Sequence, residues 1–250
     1  MARLFDDVGN DVLNVASASV TAVPLTLACW FMSDDLTIAQ TLISLSSTPA
    51  STAHVFNLVA RGNIAGDPVG AVTNGGSAYV ADTTTGYSAN VWHHACGVFT
   101  AANSRTAYID GGSSATDVNS TTPSGINNTR IGRSGRQQLS MSGRIAEAGI
   151  WSVALTGGEI AALAGGVNPR RIRPQSLVMY VPCYGVGSPE PDYTAGQRHM
   201  TVTGATQTDH CRVSPVWGMW AGWRGAFAVA ADVLPPHMRL RQNSWAGYRM

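Results

Sequence analysis

Ser142-Gly-Arg-Ile-Ala-Glu-Ala-Gly-Ile-Trp-Ser-Val-Ala-Leu-Thr-Gly-Gly-Glu-Ile-Ala-Ala-Leu163 decides the fold. Ile145, Ala148, Ile150 and Trp151 form a short apolar run with Ile and Trp, which predicts a strand. Thr156 and Glu159 then stand three apart, the spacing of a capping box. Ile160, Leu163 and the alanines between them support about two helical turns, and Gly165-Gly166 ends them. One strand thus feeds one short helix.

The rest of the chain is written in strands. Leu25 to Phe31 is almost continuously apolar, as a strand inside a sandwich core is. Thr41-Leu-Ile-Ser-Leu-Ser46 and Ala53-His-Val-Phe-Asn-Leu-Val59 alternate with period two and read as half-buried strands. Ala71-Val-Thr, Ser77-Ala-Tyr-Val80 and Trp92 to Phe99 add more. Asp110-Gly111 after Thr106-Ala-Tyr-Ile109 is a hairpin signal, because both residues tolerate the positive φ of a type I′ turn. Residues 113–128 read as one long connection or a short edge strand, and Leu177-Val-Met-Tyr-Val181 as a strong strand. About a dozen strands and one helix describe an all-β jelly-roll sandwich.

Three ordered segments resemble the laminin-G-like, concanavalin A-like lectin/glucanase superfamily. They are Leu25–Phe31, the Trp92–Gly111 hairpin and the opening stretch, where Gly143, Ile145, Glu147, Ile150, Trp151, Ala154, Leu155, Thr156, Glu159, Ile160 and Leu163 fill the family's pattern. Asp192 to Ala205 resembles the family's terminal return to the sheet. The resemblance covers residues 1–213, which it implies form one sandwich domain, with residues 214–250 a C-terminal extension.

Composition excludes several functions. Charged residues make up 12% of the chain and the net charge is +1, so no overall field draws it to nucleic acid. No stretch is long and apolar enough to span a bilayer. Met1 to Asp7 lacks the apolar core of a signal peptide, which leads to the expectation of release by lysis, within a virion, or by specialised export. Cys29, Cys96, Cys183 and Cys211 lie singly, with no zinc-type pair, and read as core thiols.

Catalysis has little to stand on. Retaining glycosidases need two facing carboxylates. Glu147, Glu159 and Glu190 are the only glutamates, and none has a carboxylate two residues away in a strand. His93 and His94 are adjacent, so in a strand they point to opposite faces and cannot share a metal; packed histidines are expected. No cofactor is implied. Lectins of the family hold glycans with loop Asp and Asn, an aromatic platform and often calcium; the candidates here are Asp67, Asn74, Asp82, Tyr87 and Asn90. They form no dense cluster, so calcium is not favoured, and most also read as turn residues.

Residues 214–250 carry four of the seven tryptophans. Trp217, Trp220 and Trp223 are three apart, and Arg224, Arg239, Arg241 and Trp245 follow. Trp and Arg are enriched at interface hot spots, so the leading expectation is a partner-binding arm. The tryptophans folding back onto the sandwich, or lying on a membrane surface, stay open alternatives. The sequence reading is then a non-enzymatic virion component at the particle surface. It would be a decoration, cement or tail-associated protein, held to partners such as the major capsid protein and homo-oligomeric. The competing reading is an extracellular carbohydrate-binding module that recognises surface polysaccharide.

Overall fold

The computed structural model describes residues 1–48, 54–135, 139–185 and 187–211. In chain order the strands are β1 (Ala2–Phe5), β2 (Val12–Val15), β3 (Leu25–Ser33), β4 (Ala39–Ser47) and β5 (Val55–Arg61). β6 (Pro68–Asn74), β7 (Ala78–Gly86), β8 (His93–Ala101), β9 (Ser104–Ile109) and β10 (Gly112–Asp117) follow. β11 (Ile126–Ile131), β12 (Gly143–Trp151), helix α1 (Gly157–Ala164), β13 (Leu177–Val181), β14 (Thr201–Thr203) and β15 (Thr206–Thr208) complete the order.

Two antiparallel sheets stack face to face. The first runs β10-β9-β8-β3-β12-β1-β15, with β13 also paired to β12; the second runs β14-β2-β11-β4-β5-β6-β7. Residues 113–128 therefore include an edge strand, β10. Side-chain alternation sends Leu25, Leu27, Cys29 and Phe31 of β3 inward to meet Leu42, Leu45, Phe56, Leu58 and Ala71 of the second sheet. Each fully buried aliphatic or aromatic side chain contributes about 1.5–3 kcal/mol of transfer free energy.

β3 is apolar on both faces because its outer face is covered too. Ala28, Cys96, Val98 and Trp151 point outward from the first sheet and pack under Leu155, Ile160 and Leu163 of α1 and its lead-in. The capping box is formed in both directions. The Thr156 Oγ1 accepts from the Glu159 N–H, and the Glu159 carboxylate accepts from the Thr156 N–H at 2.8 Å. Gly166, at φ +86°, supplies the left-handed residue that turns the chain after the helix. The Trp151 indole donates to the Ile172 carbonyl at 2.8 Å, which fixes the segment beyond.

The Asp110-Gly111 turn has φ of +49° and +79°, both positive as type I′ requires. Glu147 marks a bulge in β12: its φ is +54°, and the register with β3 shifts between Ala146 and Gly149. That extra residue explains why Ile145, Ala148 and Ile150 all reach the inner core although they do not alternate. All four cysteines are buried and unbridged. Among the described residues no helix is long and apolar enough to cross a membrane.

Candidate functional site

The outer face of the second sheet is polar where an ordinary solvent-facing sheet would be charged and exposed. Register places Thr41, Ser44 and Ser46 of β4 on it, opposite Val59, Asn57 and Val55 of β5. Gly70, Val72 and Asn74 of β6 continue the rungs, followed by Asp82, Val80 and Ala78 of β7. On the other flank Asn128 and Arg130 of β11 pair with Ser46 and Ser44, and Asn14 of β2 with Arg130.

Several of these polar groups are shut away from water. Thr41 and Ser44 are fully buried, Ser46 is 1% exposed and Asn57 5%. Among the described residues the Thr41 Oγ1, Ser46 Oγ, Asn57 Oδ1 and Asp82 Oδ1 have no hydrogen-bond partner. Leaving a buried polar atom unpaired costs about 1–3 kcal/mol, so four on one sheet face call for a reason.

The turn after β11 covers part of this face. Arg130 donates from Nε to the Asn14 and Asn128 side-chain oxygens at 3.0 and 3.1 Å, and from Nη1 to the Ser134 carbonyl at 3.2 Å. The Gly135 N–H donates to the Ser44 Oγ at 3.0 Å. Glycine is needed there because a Cβ would collide with the Ser46 side chain. On the far side of β5, Arg61 pairs with Asp82 across β6. Gly70 lies beneath that bridge, and a Cβ there would meet the Arg61 Cδ at 2.8 Å and the Asp82 Oδ1 at 3.0 Å.

At the β4 N-terminal end this face opens into a cleft of about 460 Å³. Asp7, Asn10, Thr37, Asn63 and Ser140 give it carboxylate, amide and hydroxyl groups; Ile38, Ala39 and Leu139 give it apolar wall. Four connections meet there: β1–β2, β3–β4, β5–β6 and β11–β12. Ala39, which lines the cleft, pairs with Arg61, so the cleft runs directly onto the sheet face.

The five glycan candidates do not converge. Asp82 lies in β7 and Asn74 ends β6, so these two belong to strands of the outer face and not to loops. The Asn74 Oδ1 also accepts from the Gly76 N–H at 2.9 Å, holding the hairpin. Tyr87 is no exposed platform: it is 4% exposed, packs edge-on to Phe31 at 5.2 Å, and burial pushes its hydroxyl pKa up. Asp67 (φ +48°) and Asn90 (φ +59°) are turn residues, Asn90 donating from its N–H to the Ser33 carbonyl at 2.7 Å. The arm candidates Trp217, Trp220, Trp223, Arg224, Arg239, Arg241 and Trp245 lie outside the described residues. Sequence reading missed Thr41, Ser44, Ser46 and Asn57; alternation pairs Ser44 with Ser46, but Thr41 joins their face only through the register shift between Thr41 and Ile43, and Asn57 only through the pairing of β5 with β4.

The three glutamates are all engaged. The Glu147 carboxylate is buried, accepts from the Tyr180 hydroxyl at 2.5 Å and lies 3.1 Å from the His210 Nε2. Glu159 caps α1 and pairs with Arg173 at 2.5 Å. Glu190, fully buried, pairs with Arg3 at 2.8 Å. The His93 Nδ1 meets the Asp110 carboxylate at 2.7 Å, and its Nε2 accepts from the Ser88 N–H. His94 packs against Trp30 on the outer side of the first sheet, the opposite face, with its Nδ1 unpartnered. Among the described residues no three His, Cys, Asp or Glu side chains gather as a metal site would need.

Comparison with known proteins agrees with this architecture. No curated protein sequence matches the chain. Among solved structures, a proposed carbohydrate-binding protein from Bacteroides ovatus aligns with a TM-score of 0.58 at 19% identity, covering 85% of this chain and 60% of that one. The chain thus spans less than two thirds of that protein's length. The CBM40 domain of the Ruminococcus gnavus IT-sialidase, bound to α2,3-sialyllactose, aligns at 0.52 and 15% identity, over 66% of this chain and 98% of that one. Domain 4 of the Geobacillus stearothermophilus extracellular arabinanase AbnA, in complex with arabinotriose, aligns at 0.50 and 21% identity, over 58% and 68%. At such identities these likenesses speak for the fold alone. A family model matches residues 7–161, more than half of the sequence, and by that match the chain belongs to the laminin-G-like group of the concanavalin A-like lectin/glucanase superfamily.

Proposed function

We propose that this chain is a non-catalytic carbohydrate-binding module that holds its glycan in the cleft at the β4 N-terminal end of the second sheet. The observation that carries the reading is the open cleft of about 460 Å³, whose walls offer the Asp7 carboxylate, the Asn10 and Asn63 amides and the Thr37 and Ser140 hydroxyls. Hydroxyl, amide and carboxylate groups are the partners that sugar hydroxyls need, since each sugar hydroxyl both donates and accepts. Two proteins of the same fold hold oligosaccharides, sialyllactose in one and arabinotriose in the other. The engagement of Glu147, Glu159 and Glu190 in internal contacts supports binding without hydrolysis.

A glycan array followed by calorimetry on the purified protein tests this. Binding should fall at least about tenfold in Asn63→Ala, equivalent to 1.4 kcal/mol, with thermal stability retained. The reading fails if no glycan binds, or if Asn63→Ala binds as the native protein does. A second reading, a virion component attached through residues 214–250, is favoured by the Trp and Arg density of that stretch. Deleting residues 214–250 separates the two: glycan binding should survive the deletion, whereas attachment to a particle would be lost.

A further inference from the structure

We propose that the sugar held in the cleft carries an acetamido group, whose methyl packs on Leu139 and whose N–H meets one of the cleft's acceptors. This rests on the carbohydrate-binding reading and adds the class of sugar.

The cleft is open to a ligand. Every described residue that lines it is exposed or half-buried, and its volume of about 460 Å³ lies in the range of small-ligand sites, roughly 300–1,000 Å³. Among the described residues its apolar wall is aliphatic, made by Ile38, Ala39 and Leu139. Aliphatic side chains offer no flat ring on which the face of a sugar could stack; they offer a surface for a methyl group. Leu139 is the residue that needs a reason. Its backbone is left-handed, at φ +55°, a conformation that suits Gly or Asn and opposes a bulky side chain. Its carbonyl accepts from the Thr41 N–H at 2.8 Å, a bond that any residue would supply. Packing does not offset the strain, since Leu139 is 42% exposed. A strained leucine left in view of water on a cleft wall fits a side chain kept for what enters the cleft.

The polar wall is biased toward acceptors. Asp7 gives it a carboxylate, which when ionised only accepts. The Thr37 hydroxyl already donates to the Asp35 carboxylate at 2.6 Å, so its lone pairs are what it has left to offer. The Asn10 side-chain nitrogen donates to the Val8 carbonyl at 3.4 Å, and its Oδ1 stays an acceptor. An acetamido substituent joins a donor N–H to a methyl on one short planar group, which matches acceptors set beside an aliphatic wall. A hydroxyl brings the donor without the methyl. A 6-deoxy carbon brings the methyl without the donor.

The test is calorimetric titration of the full chain with sugars matched except for the acetamido group: N,N′-diacetylchitobiose against cellobiose, and N-acetylgalactosamine against galactose. In at least one pair the acetamido sugar should bind about tenfold or more tightly than its hydroxyl counterpart and its de-acetylated amine. Leu139→Asn suits the left-handed backbone, so its thermal transition should not fall, while the preference drops below about threefold and the hydroxyl sugar binds as before. Equal binding within both pairs overturns the inference, as does a full preference retained in Leu139→Asn. Tighter binding of the free amine overturns it in favour of charge pairing with Asp7. A preference for L-fucose over L-galactose, with none for acetamido, overturns it in favour of the methyl alone. An array on which every bound glycan lacks acetamido also overturns it. All of these leave carbohydrate binding intact; failure of every glycan on the array overturns that reading itself.

Discussion

Replacing Arg3 by alanine should destabilise the domain more than any surface change of equal size. Arg3 sits in β1, and its side chain is 5% exposed. Its Nε donates to the Glu190 carboxylate at 2.8 Å, its Nη1 to the Ala205 carbonyl at 2.9 Å, and its Nη2 to the Gly187 carbonyl. One side chain thus ties the first strand to two segments near residue 200. Glu190 is completely buried; among the described residues its carboxylate keeps, without Arg3, only the Gly185 N–H at 3.3 Å, and its Oε1 has no partner. Removing one partner of a buried ion pair costs about 3–5 kcal/mol, because the other charge is left desolvated. For a domain of this size that is a fall in Tm on the order of 6–20 °C. The double replacement Arg3→Met with Glu190→Leu removes both charges and should recover most of the loss, to within about 2 kcal/mol of the native protein. Urea denaturation of the three proteins, with unchanged slopes, gives the values. A cost below about 1 kcal/mol for Arg3→Ala, or a double variant no better than the single one, would refute the argument.

Three further outcomes follow from particular residues. Burial lowers the His94 pKa from 6.5 to about 4, so the unfolded chain takes up a proton that the folded chain refuses. Stability should then fall as pH drops from about 6.5 toward 4, by up to about 3 kcal/mol, and His94→Phe should flatten that stretch of a urea-midpoint profile. Gly111 has φ +79° and a Cβ there would meet the Ala161 Cα at 2.9 Å, so Gly111→Ala should cost about 1–3 kcal/mol, read from the thermal transition. Thr156→Ala removes the hydroxyl that caps α1 and should cost about 1 kcal/mol by the same measurement, with Thr156→Ser close to native.

Much of the architecture was legible in residue order. Period-two alternation in β4 and β5, the unbroken apolar run of β3 and the Thr156–Glu159 spacing are local patterns, and each names its element without knowledge of its neighbours. The hairpin at Asp110-Gly111 was legible for the same reason, since positive φ is a property of the residues themselves. The glycan candidates were not. Asp67 and Asn90 read as polar loop residues, but a turn and a binding loop use the same residue types, and only the contacts separate them. Tyr87 reads as an available aromatic until Phe31 and His93 are seen packed around it.

The sequence by itself determined that this is an all-β sandwich with one capped helix, because those properties depend on neighbours close in the chain or on residue type. Only the tertiary structure decided which polar side chains share a surface. Thr41, Asn57 and Asp82 are far apart in sequence and meet on one face through the registers of four paired strands, and the cleft beside them is walled by four separate connections. Register is set by packing over the whole sheet, where a slip of one residue would turn every side chain to the other face, so no stretch of the chain carries it alone.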